Sequence, residues 1–95
     1  MQELEFTLEQ QMAVFGIQDK NIRVIEQALP VSIRARNAHI EITGESDDDV
    51  KNAADVLNHL KILYDNKEEI TIDVVYRVLE SVQNGEIYET LSAMS

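Results

Sequence analysis

Apolar and polar positions alternate most clearly between Val31 and Thr43. Val31, Ile33 and Ala35 alternate with Ser32, Arg34 and Arg36; beyond Asn37-Ala38, Ile40 and Ile42 alternate with His39, Glu41 and Thr43. A period of two predicts an antiparallel hairpin with one face buried and the other wet. Asn37-Ala38 is the expected two-residue turn; Asn suits its first position, and Ala is less comfortable than Gly at the second. That loop length pairs Arg36 with His39, Arg34 with Glu41 and Ser32 with Thr43 on the polar face. Ala35 then meets Ile40, and Ile33 meets Ile42, on the core face. A third strand is predicted at residues 4–8, LEFTL, with Phe6 at its centre.

Elsewhere the apolar spacing is helical. Residues 9–15 carry Met12, Val14 and Phe15 and end at Gly16, whose freedom at positive φ closes a helix at little steric cost. A second helix is predicted from Asp19 or Lys20 to Leu29, capped by Asp19 or Asn21, with Ile22, Ile25 and Leu29 on one face. Pro30 stops it. Ser46 followed by Asp47, Asp48 and Asp49 reads as the start of a third helix, since acids suit the positive end of its dipole. A calcium loop would need alternating ligands, a central glycine and a terminal glutamate. The third helix runs to about Tyr64, with Val50, Ala53, Ala54, Leu57, Leu60 and Leu63 as its stripe. Thr71 caps a fourth, with Ile72, Val75, Leu79 and Val82 inward and Asn84-Gly85 at its end. The order β-α-α-β-β-α-α predicts an α+β domain over residues 1–85: a three-stranded antiparallel sheet with helices packed on one face. Residues 86–95 read as a tail or linker.

Ninety-five residues support one core, and the composition makes it aliphatic, with no Trp and only five aromatic residues. The absence of Cys excludes disulfides and thiolate metal sites. The first ten residues lack a basic, apolar leader, and no apolar run approaches the roughly 20 residues of a membrane helix, so a cytoplasmic location away from membranes is expected. His39 and His59 stand apart, on the hairpin and a helix, and no metal-ligand spacing, nucleophile elbow or GxxxxGK[ST] phosphate loop occurs. The expectation is a non-catalytic segment with no cofactor of its own. The net charge of −10 disfavours nucleic acid, but its distribution is uneven. From Lys20 to Arg36 the chain is +3, leaving −13 elsewhere.

In residues 15–44, a helix, a tight Gly-containing turn, a second helix and a hairpin follow one another without spare residues. This layout resembles a KH domain, whose GxxG loop between two helices clamps the nucleic-acid backbone. Here the loop reads Gly16-Ile17-Gln18-Asp19: the first glycine is present, and the second is replaced by an acid that repels phosphate. Phe15-Gly16, Asp19, Asn21, the Ile-rich helix, the Arg-bearing hairpin ending Ile42-Thr43-Gly44 and the late EITIDVVYRVL are similar to the N-terminal region of PhoH-like proteins. That likeness spans residues 4 to about 83. The family comprises bacterial cytoplasmic P-loop ATPases tied to phosphate starvation and RNA metabolism. It implies ATP and Mg only in a C-terminal ATPase domain of a longer parent protein. The resemblance further implies weak binding of single-stranded RNA beside Gly16. Lys20 and Arg23 would hold phosphates, Gln18 and Asn21 would meet sugar or base edges, and Arg34 and Arg36 would line the strand side. The other expectation is a protein-interaction or homo-oligomerisation module, for which the acidic remainder and Ile87, Tyr88 and Leu91 of the tail would serve.

Overall fold

The computed structural model describes residues 1–85; the tail reading of residues 86–95 lies outside them. The elements are β1 (Gln2–Glu5), α1 (Leu8–Phe15), a short 3-10 turn (Ile17–Asp19), α2 (Lys20–Ala28), β2 (Val31–Arg36), β3 (His39–Gly44), α3 (Asp47–Asp65) and α4 (Ile72–Gln83). They form an α+β fold in the order β-α-α-β-β-α-α, around a three-stranded antiparallel sheet ordered β1-β3-β2.

The hairpin register is the expected one: Arg36 opposite His39, Arg34 opposite Glu41, Ser32 opposite Thr43, Ala35 opposite Ile40 and Ile33 opposite Ile42. Only Asn37 takes a positive φ, 53°, which spares Ala38 the strained conformation. Ile40 and Ile42 on the central strand are fully buried, while Arg34, Arg36, His39 and Thr43 are exposed, so the helices cover one face and water the other. Gly44 closes β3 where Pro30, Val31 and Val50 crowd its backbone: an added Cβ would lie 3.1 Å from Val31 Cγ1 and 3.2 Å from Val50 Cγ2.

The first strand differs from its prediction. It occupies Gln2–Glu5, pairing Leu4 with Ile40 and Gln2 with Ile42. Phe6 lies just past it, buried, its N–H donating to the Ala38 carbonyl at 2.9 Å. Thr7 and Gln10 explain the shift. Thr7 Oγ1 accepts from the Gln10 N–H, and Gln10 Oε1 accepts from the Thr7 N–H at 2.8 Å, a reciprocal cap that pulls Leu8 into α1. A four-residue capping pattern thus overrides two-residue alternation.

The long helices follow their sequence signals. Ser46 Oγ accepts from the Asp49 N–H, and Thr71 Oγ1 from the Val74 N–H, each at 3.3 Å. The α3 stripe is buried as expected from Val50 to Leu60, with Val56 added and Leu63 only half-buried; α4 adds Val78 and leaves Ile72 half-buried. Helix α2 stops at Ala28, because Leu29 before Pro30 is extended (φ −124°, ψ 122°).

The caps expected for α2 are not made. Asp19 precedes the helix at φ 57° and ψ 29°, and its side chain accepts no capping bond. Asn21 is buried, and its Nδ2 donates to the Val14 carbonyl at 3.0 Å, satisfying one of the acceptors that α1 leaves free at its end. Gly16 turns the chain between them at φ 81° and ψ 173°, a positive-φ extended conformation open essentially to glycine alone. A Cβ there would sit 2.8 Å from Asn21 Nδ2.

Gly16 and Asn21 therefore form an interlocked pair. Asn21→Ala is expected to lose about 1–2 kcal/mol of stability, and Gly16→Ala about 2–3 kcal/mol from backbone strain plus the clash. Removing the Asn21 side chain also removes the clash, so the double variant should be less destabilised than the sum of the two singles. Urea unfolding of all three variants measures that coupling; strict additivity would contradict the close packing of Asn21 under Gly16.

Candidate nucleic-acid interface

The reversal from α1 to α2 leaves an open groove of about 740 Å³ between the Gly16–Asp19 turn and strand β2. Phe15, Ile22 and Ile33 form an apolar floor; Gly16, Ile17, Gln18 and Asp19 make one wall, and Arg34 and Ala35 the other. Strand β2 is an edge strand. In a two-residue hairpin with this register, the N–H and C=O of Ile33 and Ala35 point away from β3. Glu26 Oε2 accepts the Ile33 N–H at 2.9 Å, covering one of these donors. The Ala35 peptide groups stay on the groove wall.

Of the residues singled out by sequence, Gly16, Gln18 and Arg34 meet at this groove. Lys20 lies around the turn, in a smaller depression with Met12, Ala13, Ile70 and Ile72. Arg23 folds back, its Nη2 donating to the Gln18 carbonyl, and so braces the turn. Arg36 stands at the hairpin end of the open sheet face with Glu3, Asn37, His39 and Glu41. Asn21 does not join them; it lies under the turn with its amide committed to Val14.

The sequence reading missed Met12 and Ile17. They are 77% and 85% exposed and rim both the groove and the neighbouring depression. A signal for Met12 was available: at about 100° per residue, Val14, Phe15, Leu8 and Met12 spread over roughly 160° of α1, a wider apolar arc than a short helix can bury, with Met12 at its edge. Gln11 was also missed. It is buried, and its Nε2 donates to the carbonyls of Phe6 and Asn37, tying α1 to the hairpin turn that carries Arg36.

On the open sheet face, charge is graded from strand to strand. Glu3, Glu41 and Arg34 form one cross-strand row and Glu5, His39 and Arg36 the next, so acids gather at β1 and bases at β2, beside the groove. Gln18 and Asp19 both hold left-handed backbone (φ 54° and 57°). Asp19 thus keeps a backbone conformation that suits a glycine while adding a negative charge. No metal-holding group of His, Cys, Asp or Glu occurs among the described residues. No described helix is long and apolar enough to cross a membrane. Comparisons with protein-family models, curated proteins and solved structures return no significant match.

His59 lies away from this groove, on α3. Its pKa is held below the ordinary 6.5 by burial, with Glu68 pulling weakly the other way. On acidification the unfolded chain therefore takes up this proton first. The His59 contribution is complete above pH 6.5 and is lost as pH falls through that value towards the folded pKa.

Asp19→Gly should be more stable than Asp19→Ala by roughly 1 kcal/mol, and so unfold at a higher temperature, because alanine pays the left-handed strain that glycine avoids. Equal melting would contradict the conformation at Asp19. The stability difference between the native chain and His59→Gln should be constant above pH 7 and shift against the native chain as pH falls to 5, measured by urea unfolding at each pH. A flat difference would contradict burial of the neutral imidazole.

Proposed function

We propose that this chain is a non-catalytic, KH-like accessory domain that holds a short stretch of single-stranded RNA in the groove between the Gly16–Asp19 turn and β2. The observation carrying this reading is the juxtaposition of a glycine-led reversed turn, an apolar floor and an edge strand bearing Arg34. An unstacked base fits against Phe15, Ile22 and Ile33, where the outward peptide groups of Ala35 offer a donor and an acceptor to a base edge. Arg34, with Lys20 around the turn, supplies positive charge for the backbone. In line with the resemblance to PhoH-like ATPases, the RNA would be presented to a P-loop ATPase domain elsewhere in a longer parent, and ATP and Mg would belong to that domain.

Binding on this reading is weak and salt-sensitive. The cations are few, Asp19 opposes phosphate, and Phe15, the groove's one aromatic ring, is nearly buried and offers little stacking surface. The exposed pair Met12 and Ile17 favours a second reading, in which the same edge docks a partner protein or a second copy and binds no nucleic acid.

Titration of a labelled eight-nucleotide single-stranded RNA at low salt separates the two. The expected result is saturable binding, weakened by Arg34→Glu and by Lys20→Glu. The slope of log K against log salt should shrink by roughly 0.7 for each phosphate that a variant no longer neutralises. Asp19→Gly should tighten binding. No binding at low salt, with concentration-dependent self-association reduced by Met12→Ser and Ile17→Ser, would replace this reading with the second.

A further inference from the structure

The sheet face turned away from the helices sorts its charges by strand. Glu3 and Glu5 stand on β1, Arg34 and Arg36 on β2, and Glu41 and His39 on β3 between them, in two cross-strand rows. All but the half-buried Glu41 are exposed. Within one molecule this sorting leaves like charges side by side on each edge strand. Against a second surface with the reverse order it becomes complementary. Turning the face over about a line along β3 produces that reverse order from the face itself.

We infer that two copies of this chain pair through their open sheet faces, about a two-fold axis running along β3. The charges distinguish between the two symmetric stackings. An axis across the strands lays β1 on β1 and β2 on β2, acids on acids and bases on bases. An axis along β3 lays β1 of each copy over β2 of the other. Glu3 then meets Arg34 and Glu5 meets Arg36, each contact made twice by symmetry. Glu41 and His39 lie near the axis beside their own copies, where Glu41 against Glu41 is the repulsive contact.

The face is small. Strands about 4.8 Å apart and at most six residues long present roughly 15 by 20 Å, below the size of a stable interface, so the dimer is transient. The net charge of −10 sets a further condition, since two such chains repel at long range. Asp47, Asp48 and Asp49 start α3, in the helical layer behind the sheet. At about 0.1 M salt the screening length, roughly 10 Å, damps repulsion from that layer while contacts at the face persist. At about 1 M it falls to roughly 3 Å, and the contacts weaken as well. The pairing does not rest on RNA binding; Arg34 alone borders both surfaces.

Sedimentation equilibrium of the full chain at about 0.1 M salt, from micromolar to millimolar concentration, tests the pairing. The expected result is a monomer–dimer equilibrium that weakens towards about 1 M salt. Glu41→Gln should tighten it, because the contact at the axis loses its repulsion. Glu3→Arg combined with Glu5→Arg puts bases on both edge strands, and Arg34→Glu combined with Arg36→Glu puts acids on both. Alone, each double variant should pair at least roughly tenfold more weakly, given up to about fivefold for one exposed ion pair. Mixed in equal amounts, the two should associate one to one, a rescue that loss of folding cannot produce. Amide shifts on dilution of the native chain should centre on Glu3, Glu5, Arg36, His39 and Thr43. The proposal is overturned if the native chain and the mixture both stay monomeric, or if both double variants dimerise as the native chain does. Shifts centred instead on Ile17 and Ala35, at the edge of β2, would also overturn it.

Discussion

The amide of Asn21 reaching back to the carbonyl of Val14 holds this fold in its working shape. It joins the first turn of α2 to the end of α1 and lies so close under Gly16 that no side chain fits there. Two consequences follow. The chain reverses within the few residues between the helices, and the end of α1 is held beside α2, which packs on β2. Phe15 from α1 and Ile22 from α2 then meet Ile33 from β2, and the groove is the space left where the turn overhangs the edge strand.

The same economy shapes the edge. A strand with one unpaired side invites association with other chains. Glu26 answers part of that by accepting the Ile33 N–H, while the Ala35 groups beside it stay open. The polar face behind the edge carries its bases on β2 and its acids on β1 and β3, so positive charge in an acidic protein is concentrated where the backbone is exposed. Asp19 runs against this arrangement. Its left-handed backbone suits a glycine, and its carboxylate sets a negative charge on the groove wall opposite Arg34.

Much of the architecture was legible because its causes are local. The hairpin register follows from a two-residue turn and strict alternation, and the starts of α3 and α4 follow from Ser46 and Thr71 three residues before the amides they cap. The first strand was misplaced because Phe6 and Leu8 continue an alternation that Thr7 and Gln10 interrupt; two local signals competed, and the cap prevailed. Asn21 resembled a cap and is a tether, since its choice of acceptor depends on where α1 ends in space. The candidate interface was half legible: Gly16, Gln18 and Arg34 converge, whereas Lys20 and Arg36 lie on adjoining surfaces and Arg23 serves the turn itself.

What the sequence alone determined, then, is the succession of elements, the pairing of β2 with β3 and the apolar faces of the three longer helices, all set by caps, turns and apolar spacing within one element or one hairpin. Only the tertiary structure decided that β1 lies against β3, that Asn21 is buried while Ile17 is exposed, and that His59 Nδ1 is buried without a hydrogen-bond partner. Those outcomes depend on which surfaces meet once distant segments pack. A side chain's burial and its hydrogen-bond partner are properties of that meeting, and no local pattern carries them.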